Sequence, residues 1–404
     1  MQHKQVAKIG ILCLCIILIL TGCNGYKEIN RLSFIIGMGV DKIGKTSPIY
    51  RVTFQIVNPR QVSSSSGSSG SSQGVGIINY VGYGKTLSEA ARNTSKKIMK
   101  ESYYSHISLL IVGEDVAKDD IRKVIDVFER DAKIRVRTPI LISRHTTAES
   151  ILNALTPANV IPSVALNQKI KNTEGLLGEN TLTSINEVIQ NITSPGEDIA
   201  ISGIKLPANA KNIEKMSHLD KTKPAEPIVD GMALFRGGKL VHWVSGKKTR
   251  TLSMAVNKLK GTNITVPCGK NQYVSVAINE ARMKKSVKMR NATPDVTIHV
   301  TAKGNIDEVM CDQDFKSVTT IKKIEKKVEN TLQKEIQEMF SVSKHYKSDV
   351  FAIGRTLHKS NPKQWKQYKQ NWGSVLSKAH ARVHINVSIK QTGTSSNSIL
   401  YRKK

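Results

Sequence analysis

Three neighbouring runs decide the fold class of this chain: Ile107-Ser108-Leu109-Leu110-Ile111-Val112, then Asp119-Asp120-Ile121-Arg122-Lys123-Val124-Ile125-Asp126-Val127-Phe128, then Arg137-Thr138-Pro139-Ile140-Leu141-Ile142-Ser143. The first run is apolar almost without alternation, the habit of a strand covered on both faces. In the second, Ile121, Val124, Ile125 and Phe128 recur at spacings of three, one and three, which is one stripe of a helix. The third returns to strand character. Strand, helix and strand in succession predict a mixed α/β layered domain.

Reading outward from these runs extends the pattern in both directions. Leu32, Phe34 and Ile36 alternate with polar or small neighbours, and Arg51 to Val57 alternates again, so 31–57 reads as two strands with a turn at Gly37-Met38-Gly39-Val40-Asp41. A Ser/Gly-rich loop occupies 63–74, and a third strand follows at Val75 to Val81. Thr86-Leu87-Ser88-Glu89 is a capping box. The helix it opens reaches about Tyr103, with Ala90, Ala91, Ile98 and Met99 in its apolar stripe. A short helix is predicted from Thr147.

This first unit spans 23–204, and 205–228, with Pro207, Pro224 and Pro227 among many lysines, reads as a linker. A second unit covers 229–392. It opens with a hairpin, Met232 to Arg236 and Lys239 to Val244 about Gly237-Gly238. Strands follow at Val274–Val287 and Val296–Thr301. The strongest helix signal runs from Val318 to Phe340, where Ile321, Ile324, Val328, Leu332, Ile336 and Met339 are spaced 3, 4, 4, 4 and 3. Val383, Ile385, Val387 and Ile389 alternate strictly in a last strand, and 393–404 is a tail. The fold class is thus α+β or mixed α/β, in two main domains with room for a third subdomain.

The charge is less ordinary than the fold. Lys and Arg total 61 against 32 acids in 404 residues, a net +29, which calls for an anionic partner. The basic residues are scattered, aromatics are only 5%, and no stacking motif accompanies them, so an anionic membrane surface fits better than nucleic acid. Five cysteines in so long a chain exclude a disulfide-stapled scaffold.

The N-terminus supplies the membrane. Lys4 and Lys8 precede an apolar run, Ile9 to Leu20, and Leu20-Thr21-Gly22-Cys23 follows. Twelve residues span roughly 18 Å, short of the ~30 Å hydrocarbon core, so the segment reads as a signal peptide (1–22). Leu20, Thr21 and Gly22 before Cys23 resemble the bacterial lipobox. That resemblance implies an S-diacylglyceryl and N-acyl Cys23 at the new N-terminus, no transmembrane helix in the mature chain, and a body tethered to the outer leaflet. Cys268 and Cys311 then remain, either as one disulfide or as two buried thiols.

Motifs for catalysis are weak throughout. Gly84-Lys85-Thr86 ends like a phosphate-binding loop, but position 79 is Asn79 where glycine belongs. Gly37-Met38-Gly39 has Lys42 where a dinucleotide fingerprint needs its third glycine. His380 and His384 lack a third metal ligand nearby. His106 reads as a structural histidine, and Glu129-Arg130-Asp131 as a local ion-pair cluster. No catalytic residue, metal site or cofactor is assigned beyond the lipid on Cys23.

Residues across both units then identify a likeness. Lys27-Glu28-Ile29-Asn30, Gly39-Val40-Asp41-Lys42, Gln55-Ile56-Val57-Asn58-Pro59, Ser105-His106 through Gly113-Glu114 and Ala117, and Phe128-Glu129-Arg130-Asp131 follow one pattern. Asp230-Gly231-Met232-Ala233-Leu234-Phe235, Asp349-Val350-Phe351-Ala352-Ile353-Gly354, Trp365 and Asn371-Trp372 continue it. The chain resembles the Ger(x)C family, lipoprotein C subunits of nutrient germinant receptors in endospore-forming bacteria. It departs at Asn24, where the family usually has Trp, and at the basic turn Gly246-Lys247-Lys248. The resemblance implies a receptor subunit without catalysis, at the outer face of the spore inner membrane. Its partners would be the multi-pass A and B subunits, which it would scaffold and couple. A free-standing, lipid-anchored protein that binds a small ligand is the alternative, and it requires a dominant cleft between the domains.

Overall fold

The computed structural model describes residues 5, 28–44, 46–57, 76–131, 133–157, 161–219 and 223–391. Apart from Gln5, the signal peptide lies outside them, as do the lipobox with Cys23, the Ser/Gly-rich loop and the tail. The apolar run Ile107 to Val112 supplies β5 (Leu109–Gly113), which is buried at every position. With β1 (Leu32–Ile43), β2 (Ile49–Val57), β3 (Ile77–Gly84), β4 (Glu101–Tyr103), β6 (Pro139–Ser143), β7 (Thr183–Ser184), β8 (Ala200–Lys205), β9 (Ile228–Arg236) and β10 (Lys239–Val244) it builds a ten-stranded sheet. The strand order is β10-β9-β8-β6-β5-β1-β2-β3, with β4 beside β1 and β7 beside β6. The centre is parallel, β1 to β5 to β6 to β8, and antiparallel pairs extend it at both ends.

A parallel centre needs both faces covered, and helices α1 (Leu87–Asn93), α2 (Glu114–Asp120), α3 (Arg122–Arg130), α4 (Ala148–Asn153), α5 (Pro162–Leu176) and α6 (Ile185–Thr193) cover them. Leu110, Val112, Ile140 and Ile142 pack under α1, α2, α3 and α6. Leu109, Ile111 and Leu141 pack under α4 and α5. The result is three layers.

The rest of the chain forms α7 (Arg250–Ala255), α8 (Val318–Tyr346), α9 (Ile353–Ser360), α10 (Pro362–Tyr368) and α11 (Trp372–Leu376), with a second sheet ordered β11 (Thr262–Gly269), β12 (Gln272–Arg290), β13 (Thr293–Val309), β14 (His380–Gln391). Val274, Val276, Ile278, Met283 and their neighbours on β13 pack against Ile324, Val328, Leu332, Ile336 and Met339 of α8. The opposite sheet face is polar. The outer edge of β14 is covered from α8, where Glu325 and Glu329 accept from the Ile389 and Val387 amides at 2.8 and 3.2 Å. Cys268 and Cys311 are joined in a disulfide with Cα atoms 6.2 Å apart, which resolves the choice between a bridge and two thiols.

The hairpin that opens the second unit in sequence has its place in the first sheet, where β9 pairs with β8. Period-two alternation makes β9 common to both cores: Ala233 and Phe235 face the first, Met232 and Leu234 the second. The Pro/Lys-rich segment between β8 and β9 doubles back, burying Ile213 and Ala225 against Ala154.

Four local expectations differ from the structure. Gly37 to Asp41 is mid-strand and not a turn; the chain turns after Ile43. These glycines make room for helices, since a Cβ on Gly37 would stand 2.8 Å from the Ser163 Cβ. The helix opened by Thr86 ends at Asn93, because Thr94 and Ser95 hydroxyls turn back to the Ala91 and Arg92 carbonyls. Glu101–Tyr103 is then free to pair with β1, and Met99 is 97% exposed. The helix predicted from about Asp119 begins at Arg122: Val124, Ile125 and Phe128 lie on α3, and Ile121 sits at its junction with α2, its amide donating to the Gly238 carbonyl at 2.9 Å.

Candidate functional site in the cleft between the two units

The place where polar chemistry gathers is the joint between the two units. Asp349 follows α8 and is fully buried. Its carboxylate accepts from the Ile353 and Gly354 amides at 2.9 and 2.7 Å, capping α9, and from Trp372 Nε1 at 2.7 Å. The Asp349 amide donates to Asp198 Oδ2 at 2.8 Å, and the Asp198 amide donates to the Asp349 carbonyl at 3.0 Å. The Asp349 backbone and the Asp198 amide and carboxylate, one residue from each unit, are thus joined by a reciprocal pair of hydrogen bonds. Burial pushes Asp349 up to about 6 despite its three N–H donors, and burial also raises Asp198.

Close packing completes the joint. The Arg355 amide donates to the Gly196 carbonyl at 2.8 Å and its guanidinium pairs with Glu197 at 2.7 Å. A Cβ on Gly354 would stand 2.7 Å from the Gly196 Cα, so no larger residue fits there. Trp365 meets Trp372 edge to face at 5.2 Å. Elsewhere along the interface Lys258 pairs with Glu187 and Lys260 with Glu174, both at 2.5 Å, and Ser253 Oγ donates to the Gly178 carbonyl at 2.8 Å.

Between these contacts lies a cleft of about 380 Å³. One wall is α6 with the approach to β8, the other is α7 and α9, and Lys285 of β12 reaches in. Lys285 is drawn down to about 8 by burial, with Arg355 lowering it further and Asp349 and Glu197 opposing. Its Nζ donates to the Ala255 carbonyl at 2.7 Å.

A smaller cavity of about 250 Å³ lies at the C-terminal ends of β1, β5 and β6. Its acids are engaged in structure. Asp41 accepts from the Ala148 and Glu149 amides at 2.7 and 3.1 Å and pairs with Arg51 at 3.0 Å, fixing the start of α4. Glu114 takes the His145 amide at 2.9 Å, Trp243 Nε1 at 3.2 Å and Lys118 at 2.8 Å. Burial would raise Glu114, but these donors together hold it below the ordinary carboxylate value.

The residues singled out from sequence lie elsewhere. Leu20, Thr21, Gly22 and Cys23 are outside the described residues. His106 packs edge-on against Phe34 at 5.2 Å. His384 stacks on His299 at 5.0 Å on the outer face of the second sheet. Among the described residues no group of three His, Cys, Asp or Glu gathers as a metal site would require. Arg130 pairs one turn back with Asp126 at 2.8 Å and not with Glu129 or Asp131. Thr86, at the end of the phosphate-loop-like triplet, is the cap of α1. Among the described residues no helix is long and apolar enough to cross a membrane. The cleft and the joint beside it carried no sequence motif, since Asp198, Lys285 and Asp349 are far apart along the chain. Only the Asp349–Gly354 and Trp372 pattern pointed toward it.

Comparison with known proteins covers both units. Residues 25–206 match a family model described as spore germination protein N-terminal domain, and residues 230–393 match one described as spore germination B3/GerAC like, C-terminal. Spore germination protein KC of Bacillus subtilis is 27% identical over 401 residues, covering 98% of each chain. Spore germination protein B3 of the same organism is 23% identical over 396 residues, covering 97% of this chain and 99% of its own. The crystal structure of the GerBC protein superimposes with a TM-score of 0.54 over 88% of this chain and 98% of that one, at 19% identity, which shows a shared fold. With both units matched in order and relatives aligned end to end, the chain belongs to the Ger(x)C family of spore germination proteins.

Proposed function

We propose that this chain is a non-catalytic, lipid-anchored subunit of a spore nutrient germinant receptor, held at the outer face of the spore inner membrane. There it would scaffold multi-pass A and B subunits and couple their response. The observation that carries the reading is the fate of the residues that carry the family likeness. Asp349, Gly354, Trp365 and Trp372 hold the joint, Met232 to Phe235 form the strand shared by both cores, and Asp41 and Glu114 clasp helices. These residues are spent on structure: they brace helices within each unit, and the Asp349 backbone and Gly354 meet Asp198 and Gly196 across the joint, as a scaffold requires. The Cys268–Cys311 bridge supports residence outside the reducing cytosol, and the net +29 suits an anionic membrane surface.

The test is a pull-down from detergent-solubilised spore inner membranes through a C-terminal tag, with the bound chains identified by mass. Two multi-pass proteins are expected in stoichiometric amounts. Recovery of the lipoprotein alone, under conditions that keep other membrane complexes intact, would overturn the receptor-subunit reading.

A further inference from the structure

The cleft between the units holds two lysines that form no direct ion pair among the described residues. Among its cations, Lys258 is paired with Glu187 and Arg355 with Glu197. Lys285 and Lys359 also line it; Asp198 shares the lining, and Asp349 and Glu197 act on Lys285 from farther off, but among the described residues neither lysine forms a salt bridge. An ammonium has three donors, and Lys285 spends one on the Ala255 carbonyl. A carbonyl does not cancel a buried charge, so an anion in the cleft would both take the remaining donors and relieve that cost.

The backbone around the cleft is unusual as well. Asn257 and Ala352, both on its lining, hold left-handed conformations at φ 55° and 54°. Asn257 is fastened by its amide to the Met283 backbone, two residues from Lys285. Ala352 has no side-chain bond to offset its strain and sits beside the α9 cap. Asn257 ends α7 in the ordinary way for an Asn, whereas the strained Ala352 holds the start of α9 at the cleft wall. The volume of about 380 Å³ is that of a metabolite-sized site, and Gln190, Asn191 and Thr356 add neutral hydrogen-bonding groups to the walls.

We propose that this cleft binds a small polar molecule through an oxyanion group, carboxylate or phosphate, held by Lys285 and Lys359. Ligand in the cleft would touch α6 of one unit and α7, α9 and β12 of the other. Its occupancy would therefore bias how firmly the joint is closed. This goes beyond the receptor-subunit reading and does not rest on it, because binding can be measured on the isolated protein.

The experiment is thermal unfolding of the full-length protein in detergent, titrated with succinate, glycerol 3-phosphate or inorganic phosphate against chloride at matched ionic strength. A saturable rise in Tm is expected with at least one organic probe, and the three arms separate carboxylate from phosphate and organic from inorganic anions. Lys285→Met and Lys359→Gln should each cut the apparent affinity at least tenfold. Lys303→Gln, on the polar face of the second sheet, should leave it unchanged. Lys359 is exposed, so its variant decides the matter if Lys285→Met does not fold. No saturable shift with any probe, or equal shifts in wild type and Lys359→Gln, would overturn the proposal.

Discussion

Asp349 shows most directly how single residues were assigned their work. Its carboxylate is surrounded by three N–H groups that have no other acceptor among the described contacts. Each buried donor left without a partner costs about 1–3 kcal/mol, so Asp349→Ala is expected to lose about 3 kcal/mol or more in chemical denaturation. The pH dependence has a definite sign. The folded carboxyl titrates at about 6 against 3.8 ordinarily, so the folded state binds more protons between those values. Its contribution is complete below about pH 4 and falls by about 3 kcal/mol as pH rises through 6. The stability difference between wild type and Asp349→Ala should therefore narrow from pH 4.5 to pH 7.5. A difference that widens over this range would mean that the joint favours the ionised form.

At the level of elements, the second sheet is held by one helix and one bridge. Helix α8 was legible because its apolar stripe is long and regular, and its 29 residues exceed the predicted span only at the C-terminal end. The same helix does a second task that periodicity does not reveal, since Glu325 and Glu329 satisfy the open edge of β14. The bridge joins the end of β11 to the segment after β13, closing 43 residues of sequence separation. A loop of that length constrains the unfolded chain by roughly 4 kcal/mol on the chain-entropy account. Replacing Cys268 and Cys311 together by serine should lower stability by about 2–4 kcal/mol, seen as a reduced melting temperature. An unchanged melt, with and without reductant, would show that the bridge contributes nothing.

For the whole molecule, the two units are fastened along one interface, and β9 belongs to both cores. Under the proposed function a body so joined would need an anchor to act at a membrane. Two acyl chains on Cys23 would supply it, at about 0.8 kcal/mol per buried CH₂. Cys23→Ala is expected to move most of the protein out of the spore membrane fraction and to impair the nutrient response in proportion. Full germination by spores that hold normal amounts of the Cys23→Ala protein would show that tethering is dispensable.

Sequence alone determined the local features. The buried run 109–112, the alternating strands, the α8 stripe and the turn at Gly237-Gly238 are written in periods of two or 3.6 residues and in turn chemistry, which act over a few positions. The same is true of Thr86 and Thr147 as helix caps. Tertiary structure alone decided the rest. Gly37 and Gly39 look like a turn until Ser163 and Leu152 are seen against them, and only the fold shows that β9, which opens the second unit in sequence, pairs with β8. The cleft is the extreme case. Asp198, Lys285 and Asp349 have no common motif, and only the packing of two sheets through one shared strand brings them together and removes the water that would have left their carboxyl and ammonium groups ordinary.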